Sequence, residues 1–176
     1  MVKAVQNKGF TLIEILLVVS IIAVLSAFLI PGFSNYTKSQ SIKQGTEIVK
    51  SDLRTAQNKA LTGVNSYSES ADYWGIKIYS DSATNYKFFY SSQNTSCDEA
   101  DISLSTTSKK LPGDVAVLGE ANTCVFFSRR NGDANFVGDY GSDGRLYLGE
   151  TGLSIGDACE GVEVNSAGMM AVFNDC

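Results

Sequence analysis

The chain has 176 residues, with 14 Lys and Arg against 19 Asp and Glu for a net charge of -5, and a hydrophobic content of 44%. That length suits one compact domain with an appendage, and that composition speaks against disorder. Histidine is absent, which removes the commonest general base, the usual triad base and the commonest metal ligand; no acid–base constellation is left, and no catalytic residue is expected.

The first element in chain order is an apolar run, Phe10 to Ile30, reading FTLIEILLVVSIIAVLSAFLI. As a helix at about 1.5 Å per residue it spans roughly 30 Å, the thickness of a bilayer core. Lys3 and Lys8 precede it, a positive flank that keeps the N-terminus on the cytoplasmic side. A secretory signal peptide has a shorter apolar core with a small-residue cleavage site beyond it. A plain anchor explains the length but not Glu14, since an intramembrane carboxylate is costly and usually functional. The string Lys8-Gly9-Phe10-Thr11-Leu12-Ile13-Glu14 resembles the class III signal of type IV prepilins and pseudopilins. The resemblance implies cleavage between Gly9 and Phe10 by a prepilin peptidase, and N-methylation of the new Phe10 amine. It also implies assembly through Glu14, whose carboxylate would neutralise a neighbour's Phe10 amine and set the axial register. A charge costly alone is tolerable when paired in a dry core.

Pro31-Gly32 follows the run. Proline removes a helical hydrogen bond and glycine weakens the same turn. Helical spacing then resumes with Ile42, Val49, Leu53, Ala56 and Ala60 on one stripe, and Gly63 supplies a C-cap. The expectation is one long helix from Phe10 to about Leu61, kinked or locally melted at Pro31. Its stripe packs on a sheet, and Lys38, Lys43, Lys50 and Lys59 face outward or toward neighbours. The pilin resemblance implies that the proline acts as a soft joint.

From Gly63 onward, turn-rich stretches alternate with β-type runs: Tyr73–Tyr79, Tyr86–Ser91, Val115–Leu118, Cys124–Ser128, Arg145–Leu148, Val162–Asn165 and Met169–Phe173. The fold class is α+β, a type IV pilin-like fold with one long kinked N-terminal helix packed on antiparallel sheet. Four segments result: a leader over 1–9, a transmembrane and filament-core helix over 10–30, an amphipathic helix over 31–62 and a β-rich head over 63–176.

Cys97, Cys124, Cys159 and Cys176 contain no C-x-x-C pair, so two disulfides fit better than zinc; three connectivities are possible. Cys159 and Cys176 are symmetric about Ala167-Gly168. A hairpin with a two-residue turn there sets them opposite each other, which leaves Cys97 for Cys124. Asn131, Asp133 and Asn135 have the spacing of a calcium loop. Phe136 stands where glycine is needed and Ser142 where glutamate is needed, so the stretch reads as a turn-rich hairpin connection. No metal or cofactor is expected.

A second resemblance covers Ser51-Asp52-Leu53-Arg54-Thr55-Ala56-Gln57-Asn58-Lys59-Ala60, Trp74-Gly75-Ile76 and Val164-Asn165-Ser166-Ala167-Gly168. These are similar to the helix end, first strand and final glycine turn of H-type pseudopilins and T-type minor pilins. Gln57 departs from the family's second arginine, and Asn58-Lys59 from its acidic pair. The implied role is a structural subunit of a type IV pilus or a type II secretion pseudopilus; a major pilin is the alternative. Implied partners are other pilin subunits, the peptidase and methylase, an inner-membrane assembly platform and, before assembly, membrane lipid. The implied location is the inner membrane as a single-pass precursor, then a periplasmic or extracellular filament. A DNA-uptake receptor would need a basic patch. From Ala60 on, seven basic residues face sixteen acidic ones, with only Arg129-Arg130 and Arg145 as arginines; nucleic acid is not an expected partner.

Overall fold

The structure, a computed structural model, describes residues 9–63, 71–80, 82–98, 102–119, 122–138, 144–157 and 160–174, without the side chains of 28–32 and 103–107. Contacts divide the chain into two units, Met1–Ser39 and Gln40–Cys176. Helix α1, Leu12–Thr62, belongs to both. Its backbone is helical across Pro31 and Gly32, so the expected local melting is absent there: proline costs one hydrogen bond, and the bonds on either side keep the helix going. It closes as expected. The Gly63 amide donates to the carbonyls of Lys59 and Ala60 at 3.1 and 3.2 Å, with φ at 62°, the left-handed conformation glycine adopts without a Cβ penalty.

In the first unit, every described large apolar side chain from Phe10 to Leu25 is exposed, from 47% at Val18 to 82% at Leu12. In the second unit, Val49, Leu53, Ala56 and Ala60 are fully buried and Ile42 partly so, which is the expected stripe. They pack on two antiparallel five-stranded sheets rather than one. The first has the order β4-β3-β1-β6-β7, from β1 (Tyr73–Ile78), β3 (Asn85–Ser91), β4 (Ser103–Lys110), β6 (Thr123–Ser128) and β7 (Ala134–Val137). The second has the order β10-β9-β8-β5-β2, from β2 (Ser82–Ala83), β5 (Val115–Leu118), β8 (Arg145–Glu150), β9 (Glu160–Val164) and β10 (Met170–Asn174). Both offer alternate residues to the helix: Ile76, Tyr86, Val125 and Phe127 from one, Val117, Leu148 and Val162 from the other.

The first sheet is buried on both faces. Phe89, Phe126, Cys97, Cys124 and Ile102 form a second cluster, which alternation puts on the face away from the helix. Gly75 is paired between Phe89 on β3 and Phe126 on β6. A Cβ there would lie 1.9 Å from the Val125 carbonyl oxygen and 2.6 Å from the Phe89 ring, so glycine is what lets the ring lie over the strand.

The last hairpin corrects the expected register by one residue. Val164 pairs with Met170, and the connection is the three residues Ser166, Ala167 and Gly168, closed by Asn165 and Met169. Gly168 has φ at 74°, and its amide donates to the Asn165 carbonyl at 2.8 Å. A turn followed by one left-handed residue takes three residues, not two. Cys159 and Cys176 lie outside the described residues, so the pairing inferred from that symmetry is not among the bonds seen.

Candidate functional site

The structure of the N-terminal segment starts from what caps the helix. Gly9 and Phe10 are exposed and outside the helix, and nothing lies within 4 Å of where a Gly9 Cβ would be. Thr11 is the N-cap. Its Oγ1 accepts the Glu14 amide at 3.3 Å, and its own amide donates to Glu14 Oε2 at 3.4 Å. This reciprocal pair is a capping box, and a carboxylate in the first turn also suits the positive end of the helix dipole. The cap is legible as Thr-x-x-Glu, although the same four residues sit inside the processing string. Of the expected site residues, Gly9 and Phe10 precede the helix and Glu14 lies in its first turn.

Beyond the cap, the hydroxyls of the apolar run are satisfied inside the helix. Ser20 donates to the Leu17 carbonyl at 2.7 Å and Ser26 to the Ile22 carbonyl at 2.8 Å. Among the described residues, no helix is long and apolar enough to cross a membrane. Side chains of the run are described only as far as Ala27, and those of Pro31 and Gly32, the expected kink, lie outside.

In the head, the helix end carries polar residues with specific partners. Asp52 accepts the Tyr86 hydroxyl at 2.7 Å and lies 3.9 Å from Lys109 Nζ. Burial, then that hydrogen bond and the Asp52 charge, push the Tyr86 phenol well above its usual range. Gln57 donates to the carbonyls of Gly132 and Gly168, both at 3.0 Å. It therefore ties the β6–β7 connection to the β9–β10 turn, two contacts that spacing along the chain does not reveal. Of the lysines expected to face outward, Lys38 and Lys43 are exposed and Lys50 lies 3.8 Å from Glu47. Lys59 instead sits over the rings of Trp74 and Phe88, 5.3 and 4.8 Å from their centres.

Cys97 and Cys124 are joined by a disulfide, and Lys77, buried in β1, donates to the Cys97 carbonyl at 2.8 Å. Asn131 donates to the Asp133 carboxylate, a local turn contact, and Ala134–Val137 continues as β7 rather than as loop. No cluster of metal-ligating side chains occurs among the described residues. A crevice between β7 and the last hairpin, lined by Asn135, Phe136, Gly144, Val164 and Asn165 among others, has no titratable residue among the described residues that line it.

Residues 6–30 match the prokaryotic N-terminal methylation motif. The chain is 40% identical over 53 residues to the type IV major fimbrial protein FimA of Dichelobacter nodosus, and 43% identical over 55 residues to a fimbrial protein of Pseudomonas aeruginosa. Over this segment the chain is similar to type IV fimbrial proteins. The alignments cover 30% and 31% of this chain, and the chain spans about a third of the length of these pilins, 33% and 35%. No solved structure matches. The head rests on its own structure alone: α+β, with the helix packed on antiparallel sheet.

Proposed function

We propose that this chain is a type IV pilin, a structural, non-enzymatic subunit that assembles into a filament through its N-terminal helix. The observation that carries the reading is the first unit of the chain. There an apolar helical surface is exposed on all sides and is headed by one carboxylate, within the segment that matches the methylation motif. A helix apolar all round needs an apolar surrounding, which lipid supplies to a precursor and neighbouring helices supply in a filament. The proposed sequence is membrane insertion, cleavage between Gly9 and Phe10, methylation of the Phe10 amine, and pairing of that amine with a neighbour's Glu14. Prepilin peptidase, methylase and an inner-membrane platform are the partners this requires. Pro31 and Gly32 are proposed as a soft joint, and Cys159–Cys176 as a second disulfide.

Within the family, the helix-end string favours a minor pilin or pseudopilin. Asp52, Leu53, Ala56, Gln57 and Ala60 of that string all make head contacts. A major pilin is the second reading, favoured by the Dichelobacter relatives, which are major fimbrial proteins by name. A DNA-uptake role has little support: Arg145 lies over the Phe173 ring and 3.4 Å from Glu163, which leaves Arg129 and Arg130 as the exposed arginines after Ala60. The test is N-terminal sequencing and copy counting of the protein in filaments sheared from the native host. The expected N-terminus is methylated Phe10. A chain beginning at Met1, or beyond Ile30, overturns the reading, and a copy number near that of the bulk subunit makes it the major pilin.

A further inference from the structure

We infer that Thr11 is a positioning residue for the assembly contact: its capping box holds the Glu14 carboxylate ready for a neighbouring subunit's amine. The inference rests on the subunit reading above and goes beyond it by assigning the role of a residue next to the ion pair. Glu14 Oε2 takes the Thr11 amide at 3.4 Å, while Thr11 Oγ1 takes the Glu14 amide at 3.3 Å. The side chain is thereby turned back toward the N-terminus, to the amide of Thr11. A carboxylate has two oxygens and about four acceptor positions. The box engages Oε2 alone and leaves Oε1, exposed with the rest of the residue, to accept a second donor.

The box also answers how a single carboxylate is carried before assembly. A buried acceptor without a donor is costly, and here the donor is supplied by the same chain. The Gly9–Phe10 bond lies outside the box, so the same two hydrogen bonds exist before and after cleavage. Assembly then adds one charged donor to a carboxylate already oriented, and avoids the ordering cost of fixing a free glutamate rotamer.

The experiment replaces Thr11 in the native host and measures processed subunit in the membrane and in sheared filaments. Thr11→Val keeps the branched shape and removes the cap oxygen; Thr11→Ser restores it. Incorporation is expected to fall about fivefold in Thr11→Val, the usual effect of losing an N-cap, and to recover in Thr11→Ser, with cleavage unchanged in both. In a Glu14→Gln background, Thr11→Val is expected to add little, because its effect passes through the carboxylate. Wild-type incorporation of Thr11→Val beside a failing Glu14→Gln would overturn this inference and leave the subunit reading standing. So would an equal loss in Thr11→Ser, or a loss of Thr11→Val traced to blocked cleavage. Normal incorporation of Glu14→Gln would remove the assembly contact itself, and this inference with it.

Discussion

The two halves of α1 put the same kinds of residue to opposite use. Up to Leu25 its large apolar side chains are all exposed, whereas Val49 and Leu53 in the second half have no accessible surface. The second half needs polar residues on the faces its sheets do not cover. The first has almost none, because no sheet of its own covers any part of it. An amphipathic pattern thus marks a helix that has found its partner within the chain, and its loss marks one whose partner comes from outside.

Matched substitutions sharpen this contrast, beginning with the largest effect. Leu53→Ala opens a cavity in a closed core and should destabilise the head by about 2–5 kcal/mol. Leu17→Ala, at a side chain 56% exposed, should leave head stability unchanged and reduce filament incorporation instead. Denaturant unfolding followed by fluorescence of Trp74, the single tryptophan, reads the first, and counting subunits in sheared filaments reads the second. Equal destabilisation by both would break the comparison.

A smaller effect separates the polar residues of the two halves. Gln57→Ala leaves the Gly132 and Gly168 carbonyls without their side-chain donor and should cost about 1–3 kcal/mol. Ser26→Ala removes a hydroxyl that bonds only within its own helix, so the same unfolding measurement should not move. The smallest effect is one of pH. The folded-state pKa of Tyr86 is raised above its ordinary 10 by burial and by Asp52. The folded head therefore binds the phenolic proton more tightly than the unfolded chain does. Its contribution is complete below pH 10 and is lost as the pH rises above that. Tyr86→Phe should remove that fall in stability above pH 10; an unchanged slope would mean that another group titrates there.

Much of this fold could be read from the sequence, and the failures have physical causes. The stripe of Val49, Leu53, Ala56 and Ala60 was legible because burial on one helix face imposes its period. Seven strands were legible from their β-branched and aromatic residues. Strand β4, Ser103–Lys110, was missed because an edge strand is paired on one side only, and its Ser, Thr and Lys carry no apolar alternation. Strands β2 and β7 are too short to show a period, and β7 follows the turn residues Asn131-Gly132. The division into two sheets was illegible, since both present the same alternation to one helix. In the N-terminal site, Gly9, Phe10 and Glu14 stood out by motif. Thr11 did not, because its Thr-x-x-Glu capping box lies inside the processing string, whose own pattern accounts for the same residues.

The Cys97–Cys124 bridge has a mechanical meaning for any subunit pulled along its chain. Its sequence separation of 27 corresponds to about 90 Å of contour at ~3.4 Å per residue, and none of that length can be drawn out while the bond is intact. Tension arriving after β3 crosses at Cys97 directly into β6, bypassing β4 and β5. Strand β4 has a neighbour on one side only and β5 pairs on one side with the two-residue β2, so covalent tension misses two lightly held strands and is taken up at β6, which is paired on both sides by β1 and β7.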